Sequence, residues 1–135
     1  MDILTQAVAD TATIHVKSAA GEPLYDGDKP VRIVIHGPGS RAYAAVESRQ
    51  SARALKRMRD NDGQITAATP EERAKETAED LAAITVRFEN LEYEGKQGPE
   101  LFEAVYGDQR LGFIARQVSK FVADWGNFKP GSAGN

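Results

Sequence analysis

Alternation of apolar and polar residues dominates the first third of the chain. In residues 11–17 and again in residues 31–36, isoleucine and valine alternate with mostly polar neighbours. A period of two is typical of a strand with one buried face. Between these stretches, residues 21–30 hold two prolines and two glycines around a short apolar pair, which indicates turns that flank a short strand. The pattern predicts two or three antiparallel strands with tight connections.

A helical period begins at Ser40. Residues 40–59 are rich in alanine, arginine and lysine, which favour helix, but their apolar stripe is thin. Residues 61–68 contain asparagine and glycine and are predicted to form a surface loop. The Thr-Pro-Glu-Glu sequence at 69–72 is typical of a capping box at a helix start. Apolar residues then recur every three or four positions as far as Leu91, which predicts one continuous amphipathic helix.

Two more helices are predicted in the last third of the chain. Pro99 begins a short helix with four apolar residues on one side, and Gly107 is placed to end it. A last helix with a wide apolar face is expected from about residue 108 to residue 125. The predicted fold is α+β: one domain over residues 1–128, in which a small N-terminal antiparallel sheet of two to three strands precedes three to four packed helices. Residues 129–135 are predicted to be a flexible tail.

Composition agrees with one globular domain. The chain has 135 residues, of which 41% are hydrophobic and 27% charged, as in ordinary folded proteins. It has no cysteine, so disulfides and thiolate sites are excluded. No apolar run reaches the roughly 18 residues that span a bilayer, and the N-terminus has no basic residue typical of a secretory signal. We therefore expect a cytosolic protein with no membrane partner.

The turn at residues 37–40, Gly-Pro-Gly-Ser, follows His36 where a strand meets a helix. A nucleophile elbow would have a glycine after the serine, and a phosphate-binding loop would end in Gly-Lys-Ser/Thr. Neither pattern is present. Ser40 instead suits a helix N-cap, with a weak anion site at the helix N-terminus as the alternative. A hydrolase that uses Ser40 and His36 is the least favoured function.

The two histidines, His15 and His36, also favour a structural interpretation. Each lies on the polar side of a predicted strand. A metal site usually needs three or more ligands, and no acidic partner is marked out by spacing. We therefore predict no catalytic residue, no metal and no cofactor, and we expect that the protein is not an enzyme.

The strongest electrostatic feature is the helix over residues 40–60, which holds six basic residues and two acidic ones. This surface is solvated, or contacts another protein copy or partner, or binds nucleic acid. It lacks the interleaved aromatic residues of a single-strand groove, so nucleic acid is the least expected. The aromatic and apolar residues from Phe88 to Phe128 are expected to be mostly core, and those beside the tail, at the chain's other end, are a second candidate contact. The predicted partner-binding residues are Arg49, Arg53, Lys56, Arg57, Trp125 and Phe128.

The motifs of this chain occur in an order that resembles that of a known protein family. A strand leads into "GPGSRAY" and an Arg- and Lys-rich helix, and "TPEE" follows. Next come "FENL" at 88–91 with Gly95 after it, a short helix that ends in Tyr106, and a closing helix with aromatic residues up to Phe128. Over roughly residues 12–128 this series resembles the tail assembly chaperones of long-tailed, siphovirus-type bacteriophages. Phe88 stands where the family often has tryptophan.

The resemblance implies a non-enzymatic assembly factor in the host bacterial cytoplasm. Such proteins bind the tape measure protein and keep it soluble until the tail tube protein polymerises around it. Self-association, absence from the mature virion and a longer product made by ribosomal frameshifting are further expectations. The rivals are a structural tail or head-tail connector protein, such as a tail terminator, and a small nucleic-acid-binding regulator.

Overall fold

Strands and helices follow one another in the order ββββααβαα along residues 1–63 and 68–130, the parts of the chain that the computed structural model describes. The strands are β1 (Thr11–His15), β2 (Tyr25–Asp26), β3 (Lys29–Pro30), β4 (Arg32–His36) and β5 (Thr85–Glu89). The α-helices are α1 (Arg41–Asp60), α2 (Pro70–Ala83), α3 (Gly98–Gly107) and α4 (Gly112–Val122). Short 3-10 turns lie at Ile3–Gln6, Gln109–Leu111 and Trp125–Phe128. The predicted α+β class is confirmed.

The main sheet is antiparallel, with β4 between β1 and β5. Residues that face each other across an antiparallel ladder share a face, so Ile14, Ile33 and Phe88 all point to the same side. That side carries the core, and the helices cover it. The predicted alternation is therefore confirmed in β1, whereas in β4 Val34 is buried on the opposite side from Ile33 and Ile35. β2 and β3 form a separate two-stranded ribbon, whose turn uses Gly27 at φ +64°.

The predicted continuous helix from Pro70 to Leu91 is wrong in its second half. α2 ends at Ala83, and residues 85–89 form β5. Threonine, valine and phenylalanine in this segment fit a pleated surface, and β4 offers it an open edge for pairing. The Ile84 carbonyl accepts a hydrogen bond from the backbone N–H of His36, which ties the start of β5 to that edge. The sheet therefore takes its third strand from beyond the second helix.

The two predicted N-caps are confirmed. The Thr69 hydroxyl accepts from the Glu72 backbone N–H at 3.1 Å, and the Glu72 carboxylate accepts from the Thr69 N–H at 3.3 Å. These bonds hold the pKa of Glu72 below its usual value. The Ser40 hydroxyl accepts from the Tyr43 N–H at 3.2 Å and donates to the Gly37 carbonyl at 2.7 Å. Both helix starts are therefore encoded locally.

α3 and α4 pack against the sheet and against α2. The four apolar residues predicted for one side of α3 are all buried, as expected. Among them, the Phe102 ring lies 4.8 Å from the Phe88 ring, and the Tyr106 hydroxyl lies 2.7 Å from the Thr85 hydroxyl. α4 is shorter than predicted at both ends, because a 3-10 turn precedes it and the helix ends at Val122. Residues 64–67 of the predicted loop and 131–135 of the predicted tail lie outside the described residues.

Candidate functional site

α1 is joined to α2 mainly by charged side chains. Val46 is the buried residue of this 20-residue helix, so its C-terminal part lacks an apolar anchor. Basic residues spaced by four along α1 face acidic residues spaced by three or four along α2, because such positions share one side of a helix. We call this contact the charged seam. It comprises Arg49, Gln50, Arg53 and Arg57 of α1 and Glu72, Glu76, Glu79 and Asp80 of α2.

Asp80 is the centre of the charged seam. Its carboxylate accepts hydrogen bonds from Arg49 at 3.0 Å, from Gln50 at 3.1 Å and from both terminal nitrogens of Arg53 at 2.9 Å. The Asp80 side chain is 12% exposed and that of Arg53 is 18% exposed, so water screens this pair only weakly. The two-pronged arginine contact is the geometry that makes such a pair strong.

Protonation at the centre of the seam follows from these contacts. Burial alone would raise the pKa of Asp80, but hydrogen bonds from the two arginines and the glutamine outweigh it and hold that pKa below its usual value. The hydrogen bond to Asp80 in turn raises the pKa of the Arg53 guanidinium. Both groups are therefore charged at neutral pH.

The outer end of the seam is more open. Arg57 donates to Glu76 and lies 3.8 Å from the Glu72 carboxylate, whose side chain faces largely into solvent. The Arg57–Glu76 pair is half-buried, whereas the exposed Arg57–Glu72 pair contributes about 0–1 kcal/mol. The free energy that holds α1 is thus concentrated around Asp80.

These contacts change the interpretation of the predicted basic face. Arg49, Arg53 and Arg57 do not form a free basic surface, because they bind the carboxylates of α2. Lys56 is different: it is 75% exposed and lies 3.9 Å from Asp60 in an exposed pair. A role of these residues in partner binding remains a prediction.

Phe128 is fully buried in the core, so its ring is not available as the partner contact for which it was a candidate. Its ring lies 5.5 Å from that of Phe121 and covers the backbone of Gly37. A methyl group at Gly37 would lie 2.5 Å from the Phe128 ring, so the ring or the turn would have to shift. The Phe128 carbonyl also accepts a hydrogen bond from Ala9. Trp125, by contrast, is 56% exposed and stays a candidate contact.

The Gly-Pro-Gly-Ser turn therefore has a packing role that sequence reasoning missed. Gly37 provides the surface on which Phe128 lies, and Ser40 is engaged in capping α1. His36 Nδ1 is buried 3.7 Å from an Asp10 carboxylate oxygen. His15 Nε2 lies 2.8 Å from the Leu24 carbonyl. His15 is thus held by a backbone hydrogen bond, whereas His36 Nδ1 has no hydrogen-bond partner among the described residues.

Asp80 was also missed, although the sequence contains a signal for it. Acidic residues at 72, 76 and 79–80 repeat with nearly the same spacing as the arginines at 49, 53 and 57. Matching opposite charges on two neighbouring predicted helices indicates that these helices pair with each other. Each run alone indicates only a solvated face.

Residues 1–63 and 68–130 contain no group of three or more histidine, aspartate or glutamate side chains arranged to hold a metal ion. In the same ranges, no helix combines the length and apolar character that crossing a membrane requires.

Comparison of the chain with family models, with curated proteins and with solved structures finds no match. The resemblance to tail assembly chaperones therefore depends on the ordered motifs of the chain itself.

Proposed function

We propose that the protein is a tail assembly chaperone that binds the tape measure protein of a long-tailed phage in the host bacterial cytoplasm. The observation that carries this proposal is the ordered series of motifs from residue 12 to residue 128. The chaperone holds the tape measure protein soluble until tail tube subunits assemble around it, and it is absent from the mature virion.

The surface of α1 supports the proposal. Leu55 is 60% exposed and Met58 is also exposed, on a helix whose seam arginines turn towards α2. Apolar side chains on a projecting, otherwise polar helix are suited to cover the apolar stripe of another helix. A chaperone for a long helical protein requires such a surface. We therefore place the tape measure contact on the outer side of α1 at Leu55 and Met58, with Lys56 beside them.

The charged seam decides which variants test this contact. Reversing Arg49, Arg53 and Arg57 to glutamate would set three carboxylates against those of α2 and detach α1 from the domain. A loss of tape measure binding by this triple variant would then reflect disruption of the charged seam and not loss of a direct contact. Leu55 and Met58 lie outside the seam, so their replacement leaves the ion pairs intact.

Replacement of both apolar residues by serine is expected to reduce the chaperone effect. Co-expression of the wild-type chain with the tape measure protein encoded beside it should raise the soluble fraction of that protein several-fold. Leu55→Ser/Met58→Ser should lose most of this gain, and the matched variant Leu55→Met/Met58→Leu should keep it because the apolar area is preserved. Equal gains for all three chains would contradict the α1 contact. No gain with the wild-type chain would contradict the proposed function.

Purified virions separate the proposal from its structural rival. Mass spectrometry should detect tail tube and tape measure proteins but not this chain, because a chaperone leaves when the tube closes. Deletion of the gene should leave heads without tails. Stoichiometric amounts of the chain in virions would instead identify a structural tail or connector protein.

A further inference from the structure

A second group of basic side chains lies outside α1, at the turn after β1 and on α4. The turn after β1 and the outer side of α4 border an open surface groove of about 620 Å³. We call it the basic groove. Its cations are Lys17, Arg110, Arg116 and Lys120.

Gln117 fixes the two sides of the basic groove to each other. Its side-chain oxygen accepts from the Lys17 backbone N–H at 2.8 Å, and its side-chain nitrogen donates to the Lys17 carbonyl at 2.7 Å. These two bonds bring Lys17 next to Arg116 and Lys120, which lie one turn apart on α4 and share its exposed side. The cluster is thus assembled across 100 residues of sequence.

The charges of the basic groove are available to a partner. Within residues 1–63 and 68–130, Lys17, Arg116 and Lys120 form no ion pair, in contrast to the arginines of the charged seam. Arg110 contacts the Asp108 carboxylate at 2.8 Å, yet its own side chain is 85% exposed. Like charges held together without an anion repel one another, and an acidic ligand would relieve this repulsion.

We propose that the basic groove binds a short acidic segment of a protein partner. Positive charge selects an acidic ligand, and the half-buried ring of Phe113 in the groove wall offers an apolar contact that suits a polypeptide. Carboxylates stand at both ends, with Asp108 beside Arg110 and Asp124 beyond Lys120. A long, uniform polyanion such as a nucleic acid would be repelled by these two carboxylates, whereas a short acidic segment fits between them. The inference is independent of the proposed chaperone function.

Fluorescence anisotropy tests the basic groove on the full-length chain. The probe is a fluorescein-labelled helical peptide of about four turns, with glutamates at i, i+4 spacing among alanine and leucine. It should bind at low salt and dissociate as salt rises, and the same peptide with glutamine for glutamate should not bind. Arg116→Glu/Lys120→Glu should weaken binding by about tenfold or more.

Matched controls keep the test specific. Lys29→Glu/Lys75→Glu makes the same change in net charge at exposed positions outside the groove and should weaken binding by less than about twofold. Arg116→Gln/Lys120→Gln should also weaken binding. This variant replaces Arg116→Glu/Lys120→Glu in the test if circular dichroism shows that the glutamate variant unfolds. Equal weakening by the control variant would overturn the assignment, as would tighter binding of a single-stranded DNA of equal charge. A concentration-dependent dimer that the groove variant abolishes would assign the groove to a second copy and also overturn it.

Discussion

Replacement of Phe128 by alanine is expected to lower the free energy of unfolding by about 3–5 kcal/mol, the range for a fully buried aromatic side chain. Phe128 lies close to the end of the described chain, where most substitutions are tolerated. Here its ring fills the space between Gly37 and Phe121, and deletion would leave a cavity under the turn that begins α1. Urea unfolding followed by circular dichroism measures the loss.

Trp125 is the matched control for Phe128, because it is an aromatic residue in the same 3-10 turn that faces solvent. Trp125→Ala is expected to change the free energy of unfolding by less than about 1 kcal/mol. Gly37→Ala should destabilise the protein through the same contact as Phe128→Ala, by about 1–3 kcal/mol, because its new methyl group collides with the ring. Similar stability of Phe128→Ala and the wild-type chain would show that the C-terminal turn does not pack on Gly37.

Replacement of Asp80 by asparagine is expected to destabilise the chain by about 2–4 kcal/mol, because it removes one partner of a largely desolvated ion pair. Arg53 would then keep its charge without a carboxylate, and the asparagine amide would present donors to other donors. The C-terminal part of α1 has little apolar packing, so it should lose its order first. Hydrogen exchange should show faster exchange in residues 47–60 of the variant than in those of the wild-type chain.

Glu72→Gln is the control for loss of one carboxylate charge. Glu72 lies at the open end of the charged seam, and glutamine can still complete the capping box. We expect a loss of less than about 1 kcal/mol. If Asp80→Asn costs no more than Glu72→Gln, the hydrogen bonds at Asp80 do not anchor α1.

The same carboxylate predicts a pH dependence. The pKa of Asp80 is lower in the folded chain than its usual value, so its contribution to stability is complete above the usual pKa and is lost as the pH falls through the folded value. Stability of the wild-type chain should therefore decrease below about pH 4, and Asp80→Asn should show a smaller decrease over that interval. Parallel curves for the two chains would contradict this assignment.

Local signals in the sequence determined much of the fold. The capping box at Thr69, the N-cap at Ser40, the alternation in β1 and the buried side of α3 all agree with the structure. Each depends on residues within a few positions of one another, where hydrogen-bonding geometry and side-chain periodicity act directly. The α+β class follows from the order of these elements.

Only the tertiary structure decided the rest. Residues 85–89 carry a pattern that fits a helix or a strand, and the open edge of β4 selects the strand. In an isolated α1 the arginines would form a free basic face. In the folded protein α2 lies beside them, and they form part of the charged seam around Asp80. Phe128 is buried because Gly37 lacks a side chain, and the basic groove exists because Gln117 holds Lys17 against α4. These outcomes depend on residues far apart in the chain, whose contacts no local pattern encodes.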